Sequence, residues 1–91
     1  MMSDIPKKIK EEDTDKEILR VGMIAELDAV NLYEQLAARA KDANVKKILA
    51  SIAREEKTHV GEFQAMLLKL DKEQVRELDN GKKEVDEIVS G

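Results

Sequence analysis

The sequence predicts an all-α protein: an antiparallel hairpin of two long helices followed by a short C-terminal helix. Three observations carry that reading. Apolar residues recur at alternating steps of three and four through two stretches of nearly equal length, 40% of the 91 residues are charged with both signs interspersed, and helix-opening residue pairs stand at the joins. Wherever a strand-like signal arises, the helical period outcompetes it.

Residues 1–13 are polar, hold the only proline and show no apolar period, so they read as a flexible leader to a helical domain over 14–91. Thr14 followed by Glu17 has the form of a capping box, in which each side chain satisfies an orphan backbone N–H of the other. A first helix should therefore run from about Asp15 to Lys41. Asp42, Ala43 and Asn44 make a short turn, with Asn44 suited to cap a second helix that continues to about Leu70. Two helices of near-equal length joined so briefly lie antiparallel. Asp71 with Gln74 repeats the capping form and opens a third, shorter helix that Asn80-Gly81 is expected to end. The last ten residues, KKEVDEIVSG, are expected to add one more helical turn or two.

A domain of this size has a marginal core unless a disulfide, a metal or a partner adds to it. Cysteine is absent and the only aromatic residues are Tyr33 and Phe63, so metal binding or oligomerisation is expected. The net charge of −4 and the lack of a basic cluster argue against a nucleic-acid partner, whose phosphates need Lys and Arg. No apolar run approaches the roughly 20 residues that span a bilayer, and the N-terminus lacks a signal-peptide core, which leaves the cytoplasm as the default location.

The inward seam of the first helix passes through Leu19, Met23, Glu26, Val30, Tyr33, Ala37 and Ala40. That of the second passes through Val45, Leu49, Ile52, Glu56, His59, Phe63, Met66 and Leu70. Glu26, Glu56 and His59 are the ionisable intruders. Buried carboxylates destabilise a fold unless charge or hydrogen bonds compensate, and the nearest cations in sequence, Arg54 and Lys57, are off the seam. At about 1.5 Å of rise per residue, Glu26 lies roughly 25 Å from the turn, His59 roughly 24 Å, and Glu56 about one helical turn closer. The three should meet at one level. A metal-free polar network is the bland alternative, and three converging intrusions argue against it.

A carboxylate-bridged di-metal site in a four-helix bundle takes a Glu from each of two helices and a Glu-x-x-His from each of the other two. This hairpin has one of each, so a homodimer would complete the site with four carboxylates and two imidazoles. Oxygen-rich ligation with one imidazole per metal suits iron or manganese better than structural zinc. Glu62, one turn beyond His59, is a candidate extra ligand or channel-lining acid against the plainer reading of a solvated side chain. A further apolar stripe, Ile18, Val21, Ala25, Leu32 and Leu36, exceeds what a hairpin partner needs and is expected to pack on other subunits.

The segments IAELDAVNLYEQLA (24–37) and AREEKTHVGEF (53–63) closely resemble the encapsulated ferritin-like proteins, a resemblance that covers residues from about 18 to 70. It implies a hairpin that dimerises into a ferroxidase holding two Fe per subunit pair, a ring-shaped decamer of five dimers, and work inside an encapsulin shell that stores the oxidised iron. Glu26, Glu56 and His59 match the family's ferroxidase ligands, with Glu56 bridging. Tyr33 matches a tyrosine near the site, two helical turns after Glu26, where its hydroxyl can reach the groups that hold the ligands. Asp28 resembles an acid that some relatives use in a secondary, entrance-side metal site. Two departures bear on that secondary site: Leu32 stands where some relatives carry tryptophan, and Ala25 where some carry another acid. The C-terminus lacks the apolar-and-basic peptide by which many such cargo proteins dock, so either the chain is truncated or the domain is normally fused to the shell protein. Other readings of the same ligands are a metal that merely staples a helical oligomer, or another di-metal enzyme of rubrerythrin-like or manganese type. Absence of cysteine counts against a rubredoxin centre.

Overall fold

The computed structural model describes residues 13–91. Helix α1 spans Thr14–Arg39, α2 spans Ala43–Leu70 and α3 spans Lys72–Ser90, with no strand among the described residues. Apart from Asp13, the expected leader lies outside the described residues. Asp13 occupies the N-cap position of α1 without a side-chain cap hydrogen bond, so Thr14 stands inside the helix, one position later than a capping box requires. Asp15 and Glu17 still place negative charge in the first turn, where it complements the helix dipole.

At the turn Asp42 caps α2, correcting the expectation of Asn44. Its backbone is extended and its carboxylate accepts the N–H groups of Asn44 at 2.8 Å and Val45 at 3.1 Å. A charged oxygen at the positive helix end outcompetes an amide that already lies within the first turn. On the other side of the turn, Lys46 Nζ donates to the carbonyls of Ala37 (3.1 Å) and Ala38 (3.3 Å), satisfying acceptors left over at the end of α1.

Asp71 joins three elements. It ends α2, accepts the N–H of Gln74 at 2.9 Å as the N-cap of α3, and takes a 2.9 Å hydrogen bond from Arg20 of α1. The Gln74 bond first, and the Arg20 guanidinium after it, hold the Asp71 carboxyl below the usual carboxylate range against the opposing effect of burial. The expected stop at Asn80-Gly81 does not occur, and α3 continues to Ser90. Asn80 turns its amide back to Glu77 at 3.2 Å, Lys83 pairs with Asp79 at 3.0 Å across the glycine, and the described glycines show no positive φ. These local pairs help offset the roughly 1 kcal/mol that an interior glycine costs a helix.

The hairpin of α1 on α2 is the packed unit, and α3 projects from its corner. The radius of gyration is 16.6 Å, against about 12 Å for a compact chain of this length. Val30, Ala53 and Leu67 are the buried hydrophobic residues among those described. On α1 the expected seam is half-buried or buried throughout. On α2 it is not: Val45, Met66 and Leu70 are 41–48% exposed, while Ala53 and Leu67, each one position beyond an expected seam residue, are buried. A strict 3.5-residue repeat drifts about 20° per heptad on a straight helix, enough over this length to carry its ends off the interface. Of the outer stripe, Ile18, Ala25, Leu32 and Leu36 are exposed in the single hairpin and Val21 is half-buried.

Candidate metal centre

Glu26 comes from the middle of α1 and Glu56 with His59 from α2, where a separation of three residues puts both on one helical face. Antiparallel packing brings the two helices' residues to one level. One ligand atom from each of the three side chains lies within 4.8 Å of the others. His59 Nδ1 stands 3.4 Å from Glu26 Oε2 and 3.4 Å from Glu56 Oε2. Such separations suit ion pairing, being longer than a good N–H···O hydrogen bond. Glu26 Oε2 is buried and receives no hydrogen bond among the described residues. A buried carboxylate oxygen without a donor is costly, and here a second carboxylate sits beside it.

The arrangement suits a cation. Lys57 is engaged 3.1 Å from Glu34, Arg54 is exposed, and neither lines the groove beside Glu26 and His59. Two donor atoms 3.4 Å apart fit about 2.1 Å from one ion at a near-tetrahedral angle. Two carboxylates and an imidazole form an oxygen-rich donor set of the kind that takes iron or manganese. The carboxylates are about one-fifth exposed, at 21% and 19%, whereas the imidazole is 45% exposed, so the cluster is open on one side.

That side is a groove of about 430 Å³ lined by Leu19, Glu26, His59, Glu62, Phe63 and Met66. Glu62 stands at its exposed edge. Tyr33 is half-buried on the Glu26 side of α1 but is not among the groove's lining residues, being about 10 Å further along the axis. Asp28 is half-buried and also off the groove, because two residues from Glu26 is roughly 200° around the helix. One feature escaped the sequence reading. A Cβ on Gly22 would lie 2.5 Å from Phe63 Cε1, so the ring rests directly on the α1 backbone. A glycine inside an otherwise periodic helix was the available signal.

Comparison with known proteins agrees with the all-helical fold. Over 73 residues the chain is 64% identical to a ferritin-like-encapsulin shell fusion protein of Pyrococcus furiosus, covering 80% of this chain and 21% of that protein. It is 30% identical over 87 residues to the encapsulin nanocompartment cargo protein EncC of Myxococcus xanthus, covering 96% of this chain and 66% of the relative. The chain thus spans about a fifth of the length of the first relative and just under two-thirds of the second. The crystal structure of the encapsulated ferritin domain from Pyrococcus furiosus matches with a TM-score of 0.86 at 52% identity, over 99% of this chain and 92% of that one. With the EncFtn-like family profile matching residues 1–87, the chain belongs to the EncFtn-like family of encapsulin-associated ferritin-like proteins.

Proposed function

We propose that this chain is a ferroxidase whose di-iron site is built from two hairpins, each supplying Glu26, Glu56 and His59. The observation that carries the reading is the open three-donor cluster, in which a buried Glu26 oxygen lacks any hydrogen-bond donor. One hairpin offers half the donor set of a four-helix di-metal site. In this reading Glu56 and its copy in the second hairpin bridge two ferrous ions, which are the substrate, while Glu26 and His59 complete the coordination of each. Four carboxylates balance the charge of two Fe²⁺. Each ion would give up one electron, O₂ would take the pair with two protons from solvent to become hydrogen peroxide, and the ferric product would leave for mineral storage. The protein's part is to fix donor geometry and charge.

The domain would be the helical region over 14–91, associating as a homodimer and, as the family resemblance implies, as a ring of five dimers. The relatives' descriptions as a shell fusion and a nanocompartment cargo support an encapsulin shell as partner and the interior of such a compartment as location. No described helix is long and apolar enough to cross a membrane.

Anaerobic Fe²⁺ titration followed by oxygen tests the proposal. It should give one iron per chain and oxidation at least ten times faster than in His59→Ala, since His59 is a direct donor. Equal oxidation rates in the two proteins would leave only a metal staple, and no iron uptake at all would remove the metal centre.

A further inference from the structure

We infer that Gly22 is a positioning residue for the metal cluster: its missing side chain seats the Phe63 ring against α1 and keeps that ring out of the groove beside His59. The inference rests on the proposed metal centre and extends it to residues that are not donors.

Gly22 precedes Glu26 by one turn of α1, and Phe63 follows His59 by one turn of α2. The Gly22–Phe63 contact therefore forms the layer next to the donors, on the side away from the hairpin turn. A Cβ built at position 22 would lie 2.5 Å, 2.7 Å and 2.9 Å from Cε1, Cζ and Cδ1 of Phe63. The described glycines have no positive φ, so the backbone does not require glycine at position 22. Glycine is also the poorest helix former after proline. The space taken by the ring is what requires it there. By contrast, a Cβ at Gly61 or Gly81 would meet nothing within 4 Å.

Where the ring goes when it is displaced decides the consequence. The α1 backbone blocks one side, and on the other Phe63 lines, together with Glu26, His59 and Met66, a groove of about 430 Å³ that is open in the single hairpin. Rotation into that volume puts an apolar ring against the imidazole and across the approach to the donors. His59 is the donor most exposed to this displacement, since it is 45% exposed and its partners at ion-pair distance among the described residues are the two carboxylates. Groups that orient metal ligands typically change affinity by about 10- to 100-fold when lost.

Co²⁺ is a suitable probe, because its visible absorption reports coordination geometry without oxidation chemistry. The full chain is compared with Gly22→Ala, Phe63→Leu and the double variant G22A/F63L. Gly22→Ala should keep or raise helix content while binding Co²⁺ at least tenfold more weakly with an altered absorption band. The double variant, whose shorter side chain clears the new methyl, should recover to within about threefold of wild type. Should Gly22→Ala fail to fold, the double variant is still expected to fold and bind. Wild-type affinity and spectrum in Gly22→Ala would overturn the inference, as would a double variant no better than the single one. Failure of the wild-type chain to bind Co²⁺, by contrast, would sink the metal centre itself.

Discussion

Replacing Glu26 with Gln separates a metal centre from a structural polar network, because the two predict opposite signs for metal-free stability. The ligand atoms of Glu26 and Glu56 lie within 4.8 Å of each other, and Glu26 Oε2 is buried without a donor. Two like charges at that separation repel by about 1 kcal/mol in water and about 3.5 kcal/mol at an effective dielectric of 20. Both side chains keep about one-fifth of their surface in water, so the lower figure applies. Gln also brings an N–H that can donate to Glu56. Metal-free Glu26→Gln should therefore be about 1 kcal/mol more stable than wild type, seen as a melting temperature raised by about 4–8 °C in circular dichroism after chelation. Its Co²⁺ affinity should fall by on the order of 100-fold, because a charged donor is gone. A metal-free variant that melts below wild type would refute the reasoning, since Glu26 would then be holding the fold together.

Two further substitutions test the frame around the site. Leu67 is 4% exposed but borders a cavity of about 330 Å³ shared with Leu27 and Leu78, so its surroundings are not fully packed. Leu67→Ala should cost about 2–3 kcal/mol, the low end for such truncations, measured by urea denaturation, and a loss below about 1 kcal/mol would show that Leu67 is not core. Asp71→Ala removes both the Arg20 bond and the cap of α3, so the far-ultraviolet signal should lose part of the 19-residue helix while Co²⁺ binding persists. Because the Asp71 carboxyl is held below its ordinary value, its contribution is present above the unfolded pKa of about 3.9 and is lost as pH falls through the lower folded value. The wild-type advantage over Asp71→Ala should thus persist from neutral pH down to about 4 and shrink only in stronger acid. A difference already gone at pH 5 would contradict that sign.

The convergence of Glu26, Glu56 and His59 was legible because it depends on two quantities that sequence supplies directly, the helical period and the rise per residue. Counting from the turn placed Glu26 and His59 within about one residue's rise of each other, and the structure brings their side chains to 3.4 Å. What failed depended on finer competition. Asp42 and Asn44 both suit an N-cap, and which one serves depends on where the chain leaves the extended conformation. Asn80-Gly81 carries a stop signal, yet the Asn80–Glu77 and Lys83–Asp79 pairs support the helix through it. The α2 seam was displaced by one residue at Ala53 and Leu67 because a 3.5-residue template accumulates angular error over 28 residues. Gly22 carried a weaker signal, an interior helical glycine, and the position of the Phe63 ring gives the contact that the sequence alone does not.

The sparse core and the half-complete donor set point to the same physical requirement. Helices of 26 and 28 residues must be ordered, at roughly 1–2 kcal/mol of backbone entropy each residue, yet the buried hydrophobic residues described are Val30, Ala53 and Leu67. Much of the apolar surface that would offset that entropy is still in water, at Ile18, Leu32 and Leu36 among others. At 100° per residue, these three lie about 80–120° around α1 from Glu26, all on the same side. A helix in a four-helix bundle packs on neighbours through adjacent faces and projects its donors into the core. In the proposed dimer, the face that completes the metal centre and the face that completes the core therefore adjoin, and pairing of hairpins would satisfy both at once. Carboxylates that repel in the single hairpin become the charge that makes two cations favourable between a pair, so metal binding and association would favour each other by equal free energies.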